Sequence, residues 1–136
     1  MAVEIRGVYE GDLKVEVTHG PSSATLRTEA PVDNGGTGGS FSPTDLVASA
    51  LGTCMMTIMG IVAKRDGIDL RGVTVRVEKH MNAEPRRIGR LPVTFEMPRG
   101  LGPDQRRKLE NAARTCPVHR SLSADIEIPI DFRYPD

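Results

Sequence analysis

Two thiols, Cys54 and Cys116, are the side chains of this sequence best suited to covalent chemistry. A thiolate is a strong nucleophile and metal ligand, whereas a protonated, buried thiol is inert, so the surroundings decide what each can do. Cys54 falls about twelve residues, or roughly 18 Å, into an apolar segment expected to be helical, too far from the helix start for the helix dipole to ionise it. By spacing alone it reads as a buried, inert core cysteine, and activation would need a nearby cation. Cys116 precedes Pro117, which disfavours helical geometry in the residue before it and suits the first position of a new helical turn. A thiol at such a break can meet the amides of Val118 to Leu122; the alternative is a buried cysteine that closes the second helix. Cys116 and His119 also have ligand-like spacing, with Cys54 available as a third donor. Structural zinc sites usually take four ligands, and His19 and His80 fall on expected strands without a paired donor, so no metal site is expected.

The elements that must position these residues can be read from periodicity. Val3 to Tyr9 and Leu13 to Thr18 alternate as strands of a hairpin across Glu10-Gly11-Asp12, and Ala24 to Thr28 is a weaker third strand. A glycine-rich stretch, Ala30 to Ser40, follows and reads as a mobile loop; it has no Gly-Lys-Ser/Thr and no intact G-x-G-x-x-G, so no nucleotide site is expected. Ser42, Pro43 and Asp45 form the start signal of a capped helix that runs to Lys64-Arg65-Asp66-Gly67. Val73 to Val77 and Leu91 to Met97 read as half-buried antiparallel strands on either side of a turn at Asn82 to Pro85. Pro103 opens a second helix whose Arg106, Arg107, Lys108 and Arg114 read as a solvated face, and Ile126 to Phe132 is a last strand, at an edge or bulge because of Pro129. The order βββ-α-ββ-α-β predicts an α+β fold in one domain spanning residues 1–136.

Composition narrows the functions. The 136 residues carry 18 Lys+Arg against 18 Asp+Glu and only 4% aromatics, which excludes the basic, base-stacking surface of a nucleic-acid binder. Leu46 to Ala63 is interrupted by Ser49, Gly52, Thr53, Thr57 and Gly60, and is expected to be a buried helix rather than a membrane span. The N-terminus shows no basic region followed by an apolar stretch, so a cytoplasmic, reducing location with free thiols is expected.

Taken together, S-P-T-D-L-V-A-S-A-L-G-T-C (Ser42 to Cys54) and A-A-R-T-C-P-V-H-R-S-L (Ala112 to Leu122) resemble the two signature segments of the OsmC/Ohr family of thiol-dependent peroxidases. The likeness extends to the glycine-rich loop before Ser-Pro and to the order of elements. The S-P-T-D start and V-H-R-S-L ending look closest to the OsmC-like branch. The resemblance implies an intertwined homodimer in which two central helices are wrapped by antiparallel sheets. It also implies that Cys54 is the peroxidatic thiol, that Cys116 resolves it through a Cys54-Cys116 disulfide, and that an external thiol or dithiol is the reductant, with no cofactor. A redox-inert binding protein using an interface pocket for a small apolar ligand is the alternative. The better-known enzymes of the family carry a Glu directly after the Pro, orienting an Arg that activates the thiol. Here Thr44 stands in that place and Asp45 follows; on the helix Thr44 lies about 80° and Asp45 about 180° around from Cys54, and capping accounts for Asp45. Arg27 and Arg6, on N-terminal strands, are the candidates for the Arg, and His119 completes the supporting set.

Overall fold

Alternating apolar and polar residues produce the first three strands, β1 (Ile5–Gly11), β2 (Lys14–His19) and β3 (Thr25–Glu29), in the antiparallel order β1-β2-β3. The structure, a computed structural model, describes residues 1–136. The first hairpin turns one or two residues later than the sequence suggests. Asp12 and Leu13 adopt φ of 55° and 62°, a left-handed pair whose twist matches the strands it joins, so Leu13 sits in the turn and not in β2. The pairing Ile5↔His19, Tyr9↔Val15 and Val17↔Leu26 puts Ile5, Tyr9, Val15, Val17 and Leu26 on one face and Arg6, Val8, Glu10, Lys14, Glu16 and Arg27 on the other.

The glycine-rich stretch, expected to be a mobile loop, is instead tied down. A single 3-10 turn forms at Val32–Asn34, the Glu29 carboxylate accepts from Thr37 Oγ1 at 2.6 Å and from the Gly39 amide at 3.1 Å, and the Glu29 amide donates to Phe41 at 3.0 Å. These donors, the Thr37 hydroxyl first, hold the Glu29 carboxyl below its ordinary pKa.

Helix α1 (Pro43–Asp66) starts as its residues dictate: Ser42 Oγ accepts from the Asp45 amide at 3.1 Å, and the Asp45 carboxylate accepts from the Ser42 amide at 2.9 Å. This reciprocal box satisfies donors that would otherwise be orphaned. The helix buries a single stripe, Ala48, Leu51, Gly52, Met55, Met59 and Ala63, at helical spacing. In length and hydropathy α1 does reach what is needed to cross a bilayer, contrary to the expectation from its interrupting polar residues. Its stripe nonetheless packs as that of a core helix, with Leu51, Met55 and Met59 fully buried.

Four strands follow, β4 (Thr74–Val77), β5 (His80–Ala83), β6 (Arg86–Arg90) and β7 (Val93–Glu96). The β5-β6 hairpin was hidden from sequence reasoning because its strands are short and their residues mostly polar. It replaces the longer turn expected at Asn82 to Pro85. Helices α2 (Pro103–Arg114) and α3 (Pro117–Ser121) lead to β8 (Ile130–Arg133), which starts only after Pro129 and pairs in parallel with the antiparallel partner of β4, giving the order β4-β7-β8. The ring of Phe95 stacks on that of Phe132 at 5.3 Å across this pair. The architecture is α+β. Two compact units divide it, Met1–Leu46 and Val47–Asp136, and the hydrophobic core is made wholly of residues from the second.

Two glycines inside α1 have opposite surroundings. A Cβ at Gly52 would lie 2.8 Å from Val77 Cγ2 and 3.4 Å from Val75 Cγ2, whereas one at Gly60 would meet nothing within 4 Å. Gly52→Ala is therefore expected to lower stability by about 1 to 3 kcal/mol through overpacking against stiff β-branched side chains. Gly60→Ala should raise it by roughly 0.5 to 1 kcal/mol through helix propensity. Urea unfolding midpoints of the two variants check this, and shifts of the same sign would refute it.

Candidate active site

Cys54 follows Gly52 by two residues and precedes Met55, so the packed stripe of α1 fixes where its thiol points. It lies at the edge of the stripe and is half-buried against the core. Cys116 arrives from the other side. Leu109, Ala112 and Ala113 seat α2 in the core, Thr115 ends the helix with its amide bonded to Ala112 at 3.1 Å, and Cys116 turns to extended geometry (φ −60°, ψ 135°) ahead of Pro117. That turn carries the Cys116 side chain inward to full burial.

At this position Cys116 is the N-cap of α3, and its sulfur accepts from the His119 amide at 3.2 Å. The Cys54 sulfur lies near enough to act on the Cys116 thiol, and no disulfide joins them. Burial pushes the Cys116 thiol up from its ordinary pKa; the His119 amide works against the rise, and the facing Cys54 sulfur adds to it. The Val118 amide opposes it as well. Cys116 therefore holds its proton more firmly than an unburied cysteine.

The structure brings together Cys54, Cys116 and the backbone of His119. Thr44 and Asp45 belong to the start of α1, where Thr44 Oγ1 stands 3.2 Å from Ser42 Oγ and Asp45 closes the capping box. The ten residues from Thr44 to Cys54 amount to roughly 15 Å along the helix. Arg27 is held by Glu10 at 2.5 and 3.2 Å on the charged face of the N-terminal sheet, and Arg6 by Glu4 at 2.6 Å. His119 enters through its amide, as the break at Cys116-Pro117 suggested, and not as a metal ligand. Sequence reasoning passed over Gly52, although a glycine two residues before a cysteine in an apolar helix was a usable sign of close packing there. No three or more His, Cys, Asp or Glu side chains gather in a metal-binding arrangement.

A half-exposed thiol and a buried one near each other, carried on α1 and on the break between α2 and α3, define a dithiol site in an α+β scaffold. The model of the OsmC-like protein family matches residues 36–131, which takes in both cysteines, and the chain belongs to that family. It is similar to the crystal structure of a protein from Psychrobacter arcticus 273-4 whose name proposes an osmotic stress induced and detoxification response role. The two share 38% identity over 98% of this chain and 97% of that one, with a TM-score of 0.92. The same fold occurs in an organic hydroperoxide resistance protein from Legionella pneumophila, at 21% identity, 97% and 96% coverage and a TM-score of 0.72. It occurs again in one from Bacillus subtilis, at 16% identity, 98% coverage of both chains and a TM-score of 0.67. Among curated protein sequences none matches the chain.

The position of Cys116 predicts its reactivity. In the folded protein its alkylation by iodoacetamide should be far slower than that of an unburied cysteine and should accelerate only above its ordinary pKa of 9.0, because the group must both ionise and be uncovered. Quantitative mass spectrometry of the two cysteine peptides across that pH range measures it, and rapid labelling of Cys116 near neutral pH would contradict it.

Proposed function

We propose that the protein is a thiol-dependent peroxidase that reduces organic hydroperoxides. The observation that carries this reading is that the two thiols are neighbours, Cys54 half-exposed and Cys116 buried. The Cys54 thiolate attacks the terminal peroxide oxygen, the O–O bond breaks, and the alkoxide leaves to take a proton as the alcohol. Cys54 is then a sulfenic acid. The Cys116 sulfur attacks it, the hydroxyl departs with the Cys116 proton as water, and a Cys54-Cys116 disulfide forms. An external dithiol exchanges with that disulfide, is itself oxidised, and returns both thiols. The raised pKa of Cys116 suits this order, since the resolving thiol keeps its proton until the leaving hydroxyl needs it.

The unit that acts is a homodimer in which each chain contributes residues 1–136 as one OsmC-like domain, in the reducing setting of the cytoplasm. Two apolar surfaces support the dimer. The apolar face of the N-terminal sheet leaves Ile5, Tyr9 and Leu26 exposed at 56%, 64% and 46%, and α1 leaves Ile61 exposed at 51%. A second copy is the partner that would cover such surfaces. Light scattering should give twice the 14.8 kDa of one chain at micromolar concentration, and a monomer mass would reject the dimer.

Purified protein with dithiothreitol or dihydrolipoamide should consume cumene hydroperoxide, and Cys54→Ser should abolish turnover with the fold retained. Cys116→Ser should react once and then stall as a sulfenic acid that over-oxidises. One equivalent of peroxide should make the wild type lose two hydrogens per chain by mass spectrometry. Wild-type turnover in Cys54→Ser would move the peroxidatic role to another residue, and two free thiols after that equivalent would replace this reading with a redox-inert binding protein.

A further inference from the structure

The chain carries three asparagines, Asn34, Asn82 and Asn111, and the fold gives each a different setting. Asn82 lies in β5 with its carboxamide packed over Gly89 of β6, where a Cβ would run into it. Asn111 lies inside α2, where the amide of the next residue is held by the helix. Asn34 ends the short turn Val32–Asn34 in the glycine-rich segment; it is exposed, and its carboxamide makes no hydrogen bond.

An unheld asparagine carboxamide is open to attack by the main-chain nitrogen of the residue that follows, and a side chain on that residue shields the nitrogen. Asn82 and Asn111 are each followed by Ala, whereas Asn34 is followed by Gly35. The turn itself demands this glycine, because residue 35 stands at φ 88° and ψ 2°, in the left-handed region. Its amide is also the most loosely held of the turn. Pro31 O accepts from the Asn34 and Gly36 amides at 3.0 and 2.9 Å, while Val32 O accepts from the Gly35 amide at 3.3 Å.

We propose that Asn34 is a site of spontaneous deamidation in the folded protein, and that its isoaspartyl product releases the glycine-rich segment. The Gly35 nitrogen bonds to Asn34 Cγ, the carboxamide nitrogen departs as ammonia with the Gly35 amide hydrogen, and a succinimide stands in the chain. Water then adds to one succinimide carbonyl, the ring C–N bond breaks, and the ring opens to aspartate or isoaspartate. No oxidant, reductant or thiol takes part.

Isoaspartate routes the main chain through the former side chain and so lengthens it by one methylene between Pro31 and Gly36. That interval has no slack. The Gly36 amide must reach Pro31 O, and Gly36 packs so closely on the Ala30 carbonyl that a Cβ there would overlap it. The new carboxylate also stands next to Asp33, in the segment that the Glu29 carboxylate ties down through Thr37 and Gly39.

Full-length protein kept under a reductant at mildly alkaline pH and sampled over days tests this. The Asn34 peptide should gain the mass that separates an acid from an amide and split into aspartyl and isoaspartyl forms on chromatography, while the Asn82 and Asn111 peptides stay unchanged. The isoaspartyl protein, separated by ion exchange through its added negative charge, should lose hydrogen-exchange protection at the Gly39 amide, the one that donates to Glu29. Asn34→Gln, whose longer side chain closes the ring poorly, should keep both its mass and that protection. An Asn34 that survives in the folded chain while it converts in urea would overturn the site, as would equal conversion at Asn82 or Asn111. A product that is aspartate alone, or an isoaspartyl protein with full protection at Gly39, would overturn the release.

Discussion

The close approach of α1 to β4 at Gly52 governs the rest of the second unit. With no Cβ there, Val77 and Val75 come into contact with the helix backbone, and Leu51, Met55 and Met59 drop into full burial on either side of the contact. A helix seated along one stripe cannot rotate freely. Cys54, one residue before Met55, is about 100° around from it, which holds the thiol at the boundary between core and surface. A turn of the helix by one position would bury the sulfur among methionines or expose it to solvent. The glycine thus acts on the chemistry without touching it, by fixing the azimuth of the residue two places on.

The second thiol is placed by a break rather than by a seat. Ala112 and Ala113 are small enough to bring the end of α2 deep into the core, and Pro117 then forbids the helix from continuing through Cys116. The chain must turn where it is already buried, so the cysteine side chain goes inward, and the first amides of α3 are left pointing at its sulfur. The same local rule that ends one helix and starts the next brings Cys116 near Cys54.

Much of this was legible in the residues. The Ser42-Pro43-Asp45 start, the limits of α1 and α2, the new turn at Pro117 and the alternation of β1, β2, β4 and β7 are local features, and local physics writes them into the sequence. What was not legible depends on contacts made at a distance. The β5-β6 hairpin has no apolar alternation to announce it, the parallel pairing of β8 with β7 is a matter of topology, and the order in the glycine-rich segment comes from one carboxylate, Glu29, reaching across to Thr37 and Gly39. At the site, spacing alone made Cys54 an inert core residue, and only the family resemblance set it beside Cys116. Thr44, Asp45 and Arg27 came from that same resemblance. Within this chain Thr44 and Asp45 serve the helix cap, while Arg27 is bound by Glu10.

The balance of forces on Cys116 is informative in its own right. Two amides aim at the sulfur, which by themselves would favour the thiolate, yet burial outweighs them and the facing Cys54 sulfur adds to the rise. A charge on the neighbouring Cys54 would oppose a second one on Cys116. A pair of this kind divides its work by environment: the half-exposed sulfur is the one a substrate can reach, and the buried one holds a proton. Disulfide formation from a sulfenic acid needs both a sulfur nucleophile and a proton for the departing hydroxyl, and in the proposed reaction a neighbouring buried thiol would supply the two from one group. The amides of His119 and Val118 then have a second use. In the proposed reaction they would stabilise negative charge on Cys116 as its proton leaves, at the moment when burial opposes it most.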